Sequence, residues 1–213
     1  MRCWQIRAFL PERAVFNESH LLSFTVIRIF SLLAGFSTVF LLATLLLGLY
    51  LQSVGDIRDP SDTLAQQYKT VHFLAGLGSG LCTILAHSLA VTYFIGTGRW
   101  CKEVCDTYKL DSGLAARARQ LKRRSFPYAL ACMLVVLVIM AFGAAADPAA
   151  HVTADPPWNL TWAQSHLVLA LAGMGVIVFA SVAEWNYIHA NGELIQEIMV
   201  EVKRIRQAKG LET

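Results

Sequence analysis

Four long apolar stretches, separated by shorter polar segments, dominate the pattern of this chain. They cover about residues 21–51, 71–97, 126–146 and 162–187. Each has at least the roughly 20 residues that a helix needs to cross about 30 Å of hydrocarbon. Because unpaired backbone groups are costly in lipid, an apolar run of this length is expected to be helical. The pattern predicts an all-α integral membrane protein, a bundle of four transmembrane helices forming one domain over 1–213.

The polar segment 98–125 predicts a helical hairpin that extends the bundle into the cytoplasm. We expect the second helix to continue to about Lys109, with a turn at the Asp-Ser-Gly of 111–113. A short basic helix then follows, and we expect it to stop before Pro127, because proline cannot donate a backbone hydrogen bond.

The tail 188–213 carries an apolar stripe of helical period, formed by Leu194, Ile198, Val202 and Ile205. This spacing predicts an amphipathic C-terminal helix. Such a helix can extend the last span, lie on anionic lipid, or dock onto a partner chain.

Composition and charge support the membrane assignment and orient the chain. Apolar residues make up 55% of the chain and charged residues 15%, against about 25% charged in soluble domains, and the mean hydropathy is +0.49. If the chain crosses four times, all of its 18 basic residues except Arg58 and Lys69 fall on one side. The positive-inside rule then predicts an inner-membrane, multi-pass protein with both termini in the cytoplasm. Since topology explains the basic residues, we expect no nucleic-acid partner.

Other sequence signals exclude several classes of protein. The first apolar stretch is too long and starts too late for a cleaved signal peptide, so we expect a retained helix. Cys101 and Cys105 lie four residues apart in a segment expected to be cytoplasmic. Reduced thiols are expected there, and a structural zinc would need four ligands, so no metal site is predicted. No catalytic motif is present, and no catalytic residue is assigned.

Two histidines carry the sharpest functional signal. His72 and His166 lie near the starts of the second and fourth stretches, which run in the same direction through the predicted bundle. Their imidazoles should therefore lie at one level near one face. Two imidazoles from neighbouring helices are the axial ligand set of a b-type haem, and ionisable groups within membrane spans are candidate functional residues.

Three glycines share helix faces with these histidines and have two interpretations. Gly76 and Gly80 follow His72 on the second stretch, and Gly173 follows His166 on the fourth. Small residues let two helices approach closely. They could instead leave room for a flat macrocycle beside the histidines, which would make them part of a haem site.

A second haem site is not predicted. His87 lies farther along the face of His72, about 22 Å down the helix axis. The matching position on the fourth stretch is Ser181, which is not a haem ligand. The chain departs in this respect from the di-haem four-helix cytochromes, which would be expected to have two ligand histidines on each of two helices.

Arg28 and Glu184 are the charged residues expected nearest to the lipid core. Both lie toward the inner side of their stretches, so an ion pair between them is the simplest expectation. A proton or ion relay through His87, Glu184 and Thr83 is the functional alternative.

Three functions remain open from the sequence. The first is an accessory or anchor subunit of a membrane complex that holds haem b between the second and fourth spans for electron transfer. The second is a cofactor-free structural subunit that binds other membrane subunits or copies of itself. The third is a small proton or ion conductor. In each case the bilayer itself is a partner.

Overall fold

The protein is described by a computed structural model that covers the backbone of residues 12–154 and 156–210, with side chains from residue 25 onward. The N-terminal arm 1–11, whose basic residues enter the charge argument, lies outside the described residues. Of the residues that the structure describes, 87% are helical and none lies in a strand.

Four long helices account for nearly all of the described chain. They are α1 (Glu12–Val54), α2 (Thr63–Tyr108), α3 (Ser112–Ala146) and α4 (Trp162–Ala208), with a short 3-10 turn at Pro148–Ala150. Each contains a segment long and apolar enough to cross a membrane. The prediction of an all-α fold with four such helices is confirmed.

The helix ends follow from local chemistry. Asp62 caps α2 by accepting a hydrogen bond from the backbone N–H of Ala65 at 3.0 Å. Thr161 and Gln164 form a capping box at the start of α4, as their spacing in the sequence predicts. The α2–α3 turn begins at Lys109, which adopts a left-handed conformation with φ of 56°.

The helices pack in chain order around a common axis. Each contacts the next, α1 contacts α4 less extensively, and α2 meets α4 across the middle of the bundle. We call the end with His72 and His166 the histidine end, and the opposite end, with the α2–α3 turn and the end of α4, the basic end.

The predicted stop before Pro127 is wrong. Helix α3 runs without interruption from Ser112 to Ala146, with Pro127 inside it. The segments before and after the proline are both held by packing: Ala118 and Ala129 are each 1% exposed. Tertiary contacts therefore outweigh the loss of one backbone hydrogen bond.

The predicted amphipathic helix of the tail is part of α4, not a separate element. Its stripe packs within the chain: Leu194 and Ile198 are 0% exposed and belong to a core cluster at the basic end. The other members of that cluster come from the end of α2, the start of α3 and α4 itself: Cys101, Cys105, Leu114, Ala115, Ala118, Ile195 and Val202. Leu194, Ile198 and Val202 of the stripe are thus packed against α2 and α3 within the chain.

Candidate functional site

The structure brings the rings of His72 and His166 together at the histidine end. Their centroids lie 6.3 Å apart, and the ring planes cross at 81°. The two residues come from α2 and α4, the helices that meet across the middle of the bundle. Both side chains are half-buried.

Each imidazole is held by the neighbouring helix of its own hairpin. Nδ1 of His72 lies 3.2 Å from the carbonyl oxygen of Thr44 on α1, and Nδ1 of His166 lies 3.0 Å from that of Ile139 on α3. A carbonyl oxygen can only accept, so Nδ1 carries the hydrogen and donates it. Nε2 of each ring therefore keeps its lone pair. This is the arrangement by which metal-binding histidines fix their tautomer and orientation.

A glycine lies beneath each ring, one helical turn after the carbonyl acceptor. A Cβ added to Gly48 would lie 2.7 Å from Cε1 of His72, and one added to Gly143 would lie 2.9 Å from Cε1 of His166. Both distances are too short for carbon atoms in contact. The same arrangement thus occurs in both hairpins: because glycine has no side chain, the imidazole ring can pack directly against the helix backbone.

Gly48 and Gly143 were missed by the sequence reasoning. The available signal was their position: each lies near the end of an apolar stretch that enters the histidine end, at about the depth of the histidines. The hairpin repeat of histidine, carbonyl and glycine was not visible as a sequence repeat, because the surrounding residues differ.

Polar and aromatic contacts surround the pair. Lys69, one turn before His72, lies 3.8 Å from the Asp147 carboxylate at the end of α3. The Trp158 ring stacks on Phe142, and its Nε1 donates to Ser165 Oγ at 2.8 Å. These contacts fix the α3–α4 connection against the helices that carry the histidines.

The three glycines predicted to flank a cofactor differ in their surroundings. A Cβ on Gly80 would lie 2.8 Å from Met140 Sδ, and one on Gly173 would lie 2.5 Å from Ile139 Cδ1. Side chains of α3 therefore fill the space beside both, which is helix packing. Beside Gly76, the nearest atom to an added Cβ is Thr44 Cγ2 at 3.9 Å. Of the three, Gly76 alone would accept a methyl group without displacing a neighbour.

Glu184 pairs with His87 in the bundle core. Glu184 Oε2 lies 2.5 Å from His87 Nδ1, and the two side chains are 0% and 1% exposed. The other carboxylate oxygen, Oε1, is buried and receives no hydrogen bond from any described group. Thr83, one turn before His87, is also buried, and its hydroxyl donates to the Ser79 carbonyl oxygen at 2.8 Å.

The structure does not bring Arg28 to Glu184. Arg28 is exposed, whereas Phe30, two residues later, is 1% exposed and faces the core. Two residues correspond to about 200° of rotation around a helix, so Arg28 lies on the outer face of α1. The expected ion pair is replaced by the contact between Glu184 and His87.

A second polar cluster lies two helical turns beyond Glu184, toward the basic end. Asn191 Nδ2 donates to Tyr93 Oη at 3.1 Å and to Thr97 Oγ1 at 3.0 Å. Asn191 is 1% exposed, and its Oδ1, like Glu184 Oε1, is buried and receives no hydrogen bond from the described residues. Sequence reasoning missed this cluster, although Asn191 is a polar residue on the face of Glu184.

The donor set at the histidine end limits the chemistry available there. Among the side chains that the structure describes, in residues 25–154 and 156–210, no three from histidine, cysteine or acidic residues come together as a metal site. A zinc ion would need further protein ligands. A haem iron already has four macrocycle nitrogens and takes two axial histidines.

Comparison with family models, curated proteins and solved structures gives no match.

Proposed function

We propose that this chain is an integral membrane subunit that holds a b-type haem between α2 and α4, with His72 and His166 as axial ligands, and takes part in electron transfer. The supporting observation is the geometry of the imidazole pair. The two imidazoles come from different helices and their ring centroids lie 6.3 Å apart, so His72 and His166 are the residues that would hold a haem at this end of the bundle.

The tautomers also fit this proposal. Each Nδ1–H is donated to a backbone carbonyl, which leaves Nε2 available as the ligand atom. Gly48 and Gly143 hold the rings in place, and Gly76, one turn after His72, is the least tightly packed of the three flanking glycines. A bound haem would supply one-electron chemistry; the chain's own residues orient the ligands. Gly80 and Gly173 have no part in this site, because α3 fills the space beside them.

The surface of the bundle supports insertion into a bilayer. Large apolar side chains point outward along the helices, including Leu32, Val39 and Phe179, which are 73%, 67% and 66% exposed. Exposed apolar surface of this extent is costly in water and suits acyl chains. The distribution of lysine and arginine favours an inner-membrane location with both termini in the cytoplasm. In that orientation, the cluster formed by α2, α3 and α4 at the basic end is a cytoplasmic extension.

A reduced-minus-oxidised optical spectrum of the purified chain, produced with haem in sufficient supply, tests the cofactor. We expect the Soret and α bands of a six-coordinate b-type haem in the wild type. His72→Ala and His166→Ala should each abolish the six-coordinate spectrum. His189→Ala is the matched control, since His189 is exposed on α4 and its loss should leave the bands unchanged. A colourless wild type, or bands that survive both substitutions, would overturn the proposal.

A cofactor-free structural subunit is the second candidate function. It is favoured by the filled spaces beside Gly80 and Gly173, where residues predicted to make room for a cofactor instead pack helices together. A colourless wild type that co-purifies with other membrane subunits in a fixed ratio would support this alternative.

A further inference from the structure

The polar residues in the core of the bundle form a line that neither helix packing nor a haem at the histidine end requires. Three members are buried: His87 is 1%, Glu184 0% and Asn191 1% exposed. Glu184 and Asn191 lie on one face of α4, about two helical turns apart. Each presents a buried oxygen that receives no hydrogen bond from the described residues.

The charge around Glu184 favours a pair with no net charge. His87 faces it from α2, and Cys132 of α3 is buried in the adjacent core cluster with Ala180 of α4. The part of α1 at this level, residues 30–41, contains no titratable side chain, and Arg28 faces outward. With no compensating cation, a carboxylate beside a neutral imidazole would leave an unpaired charge in the core, which is costly.

Two arrangements of the pair are neutral overall. In one, imidazolium donates to carboxylate; in the other, the Glu184 hydroxyl on Oε2 donates to Nδ1 of neutral imidazole. The first buries two charges and leaves the carboxylate oxygen Oε1 without a donor, so its desolvation is poorly compensated. The second leaves only a carbonyl oxygen without a donor, at a smaller cost. The buried oxygen without a donor therefore favours the second arrangement.

We propose that His87 and Glu184 form a proton-binding site, which exchanges protons with the basic end through Asn191, Tyr93 and Thr97. Tyr93 and Thr97 are half-buried and link Asn191 to the bundle surface. The two helical turns between Asn191 and Glu184 are filled by the buried apolar residues Ala90, Phe94 and Ile188. Proton exchange along this line therefore requires the cluster to open locally and admit transient water. This inference does not depend on a haem.

The transfer step changes only O–H and N–H bonds. A proton that arrives on Glu184 Oε1 causes Oε2 to pass its own proton to His87 Nδ1. The pair then carries one positive charge until a proton leaves from either residue. No electron moves, and no co-reactant is needed.

Infrared spectroscopy of the full chain in lipid nanodiscs tests the proton site. We expect a C=O stretching band of a buried, protonated carboxylic acid at neutral pH. Glu184→Gln should remove this band, whereas Glu193→Gln, at an exposed position on the same helix, should keep it. His87→Gln should shift its frequency by removing the acceptor of the acid proton, and His189→Gln should not. A wild type without this band at any pH would overturn the proposal.

Exchange into D₂O tests the route. Asn191→Leu should slow the deuterium shift of the Glu184 band on the order of tenfold. Asn186→Leu is the matched control, because Asn186 is exposed on α4, and it should exchange as the wild type does. Thr97→Val should also slow exchange, which covers the case that Asn191→Leu fails to fold. Unchanged exchange in folded Asn191→Leu and Thr97→Val would refute the route while leaving the proton site intact.

Discussion

The contact between each histidine ring and the glycine beneath it gives the most direct prediction from this structure. Replacing Gly143 with alanine puts a Cβ 2.9 Å from His166 Cε1, and the same change at Gly48 puts one 2.7 Å from His72 Cε1. Carbon atoms in favourable contact are about 3.5–4.0 Å apart. The His166 ring must therefore withdraw by roughly 0.6 Å or more, and the His72 ring by roughly 0.8 Å or more.

The withdrawal also weakens the hydrogen bond that fixes each ring. Nδ1 of His166 starts 3.0 Å from its carbonyl acceptor, and withdrawal away from α3 takes it to roughly 3.6 Å, beyond hydrogen-bonding range. Overpacking costs about 1–3 kcal/mol, and the lost hydrogen bond about 0.5–1.5 kcal/mol. Alanine has a higher helix propensity than glycine, which offsets this cost by up to about 1 kcal/mol. We expect net destabilisation of about 1–3 kcal/mol, larger for Gly48→Ala than for Gly143→Ala.

Unfolding in mixed micelles, driven by increasing SDS and followed by far-UV circular dichroism, measures these changes. Gly35→Ala is the control, because it lies on α1 and its added Cβ would have no neighbour within 4 Å; its stability should be unchanged or slightly raised. In a His72→Ala background, Gly48→Ala should lose its cost, because the ring it displaces is gone. The reasoning is refuted if Gly48→Ala and Gly143→Ala behave as Gly35→Ala does, or if the cost persists without the ring.

Three further predictions use the same unfolding assay or simple labelling. Glu184→Leu should cost about 2–4 kcal/mol by leaving His87 without its partner, and the double change with His87→Leu should cost less; equal costs would contradict a specific pair. Cys101 and Cys105, at 0% and 4% exposure, should resist a maleimide in the folded protein and react after unfolding, and fast labelling of the native chain would count against their packing. Thr161→Ala should lower stability by about 1 kcal/mol through loss of the α4 cap, and an unchanged midpoint would show that the cap is not formed.

Helix number and type were predictable from the sequence because they depend on local chemistry. An apolar run of sufficient length has few alternatives to a helix, and the capping box of Thr161 and Gln164 is a matter of spacing. The boundaries were less predictable. Pro127 and the tail stripe beginning at Leu194 carry ordinary signals for a break or a separate helix, but packing against α2 extended α3 and α4 through both.

The candidate site was also predictable only in part. The similar positions of His72 and His166 in parallel stretches were enough to predict that the rings lie at one level, since rise per residue fixes depth. The carbonyls of Thr44 and Ile139 carry no side-chain signal, and any residue type could supply them. The sequence could not predict that Glu184 pairs with His87 and not with Arg28. That choice depends on how α1 is rotated about its own axis.

The sequence by itself determined four apolar helices, their order, the asymmetry of charge between the two ends and the depth of each polar residue. These properties depend on length, period and composition, which are local along the chain. The tertiary structure alone decided which side chains meet: the imidazoles on Gly48 and Gly143, the carboxyl of Glu184 on His87, and Asn191 on Tyr93 and Thr97. Such partners depend on how each helix is rotated and tilted against the others, and that is set by many packing contacts acting together.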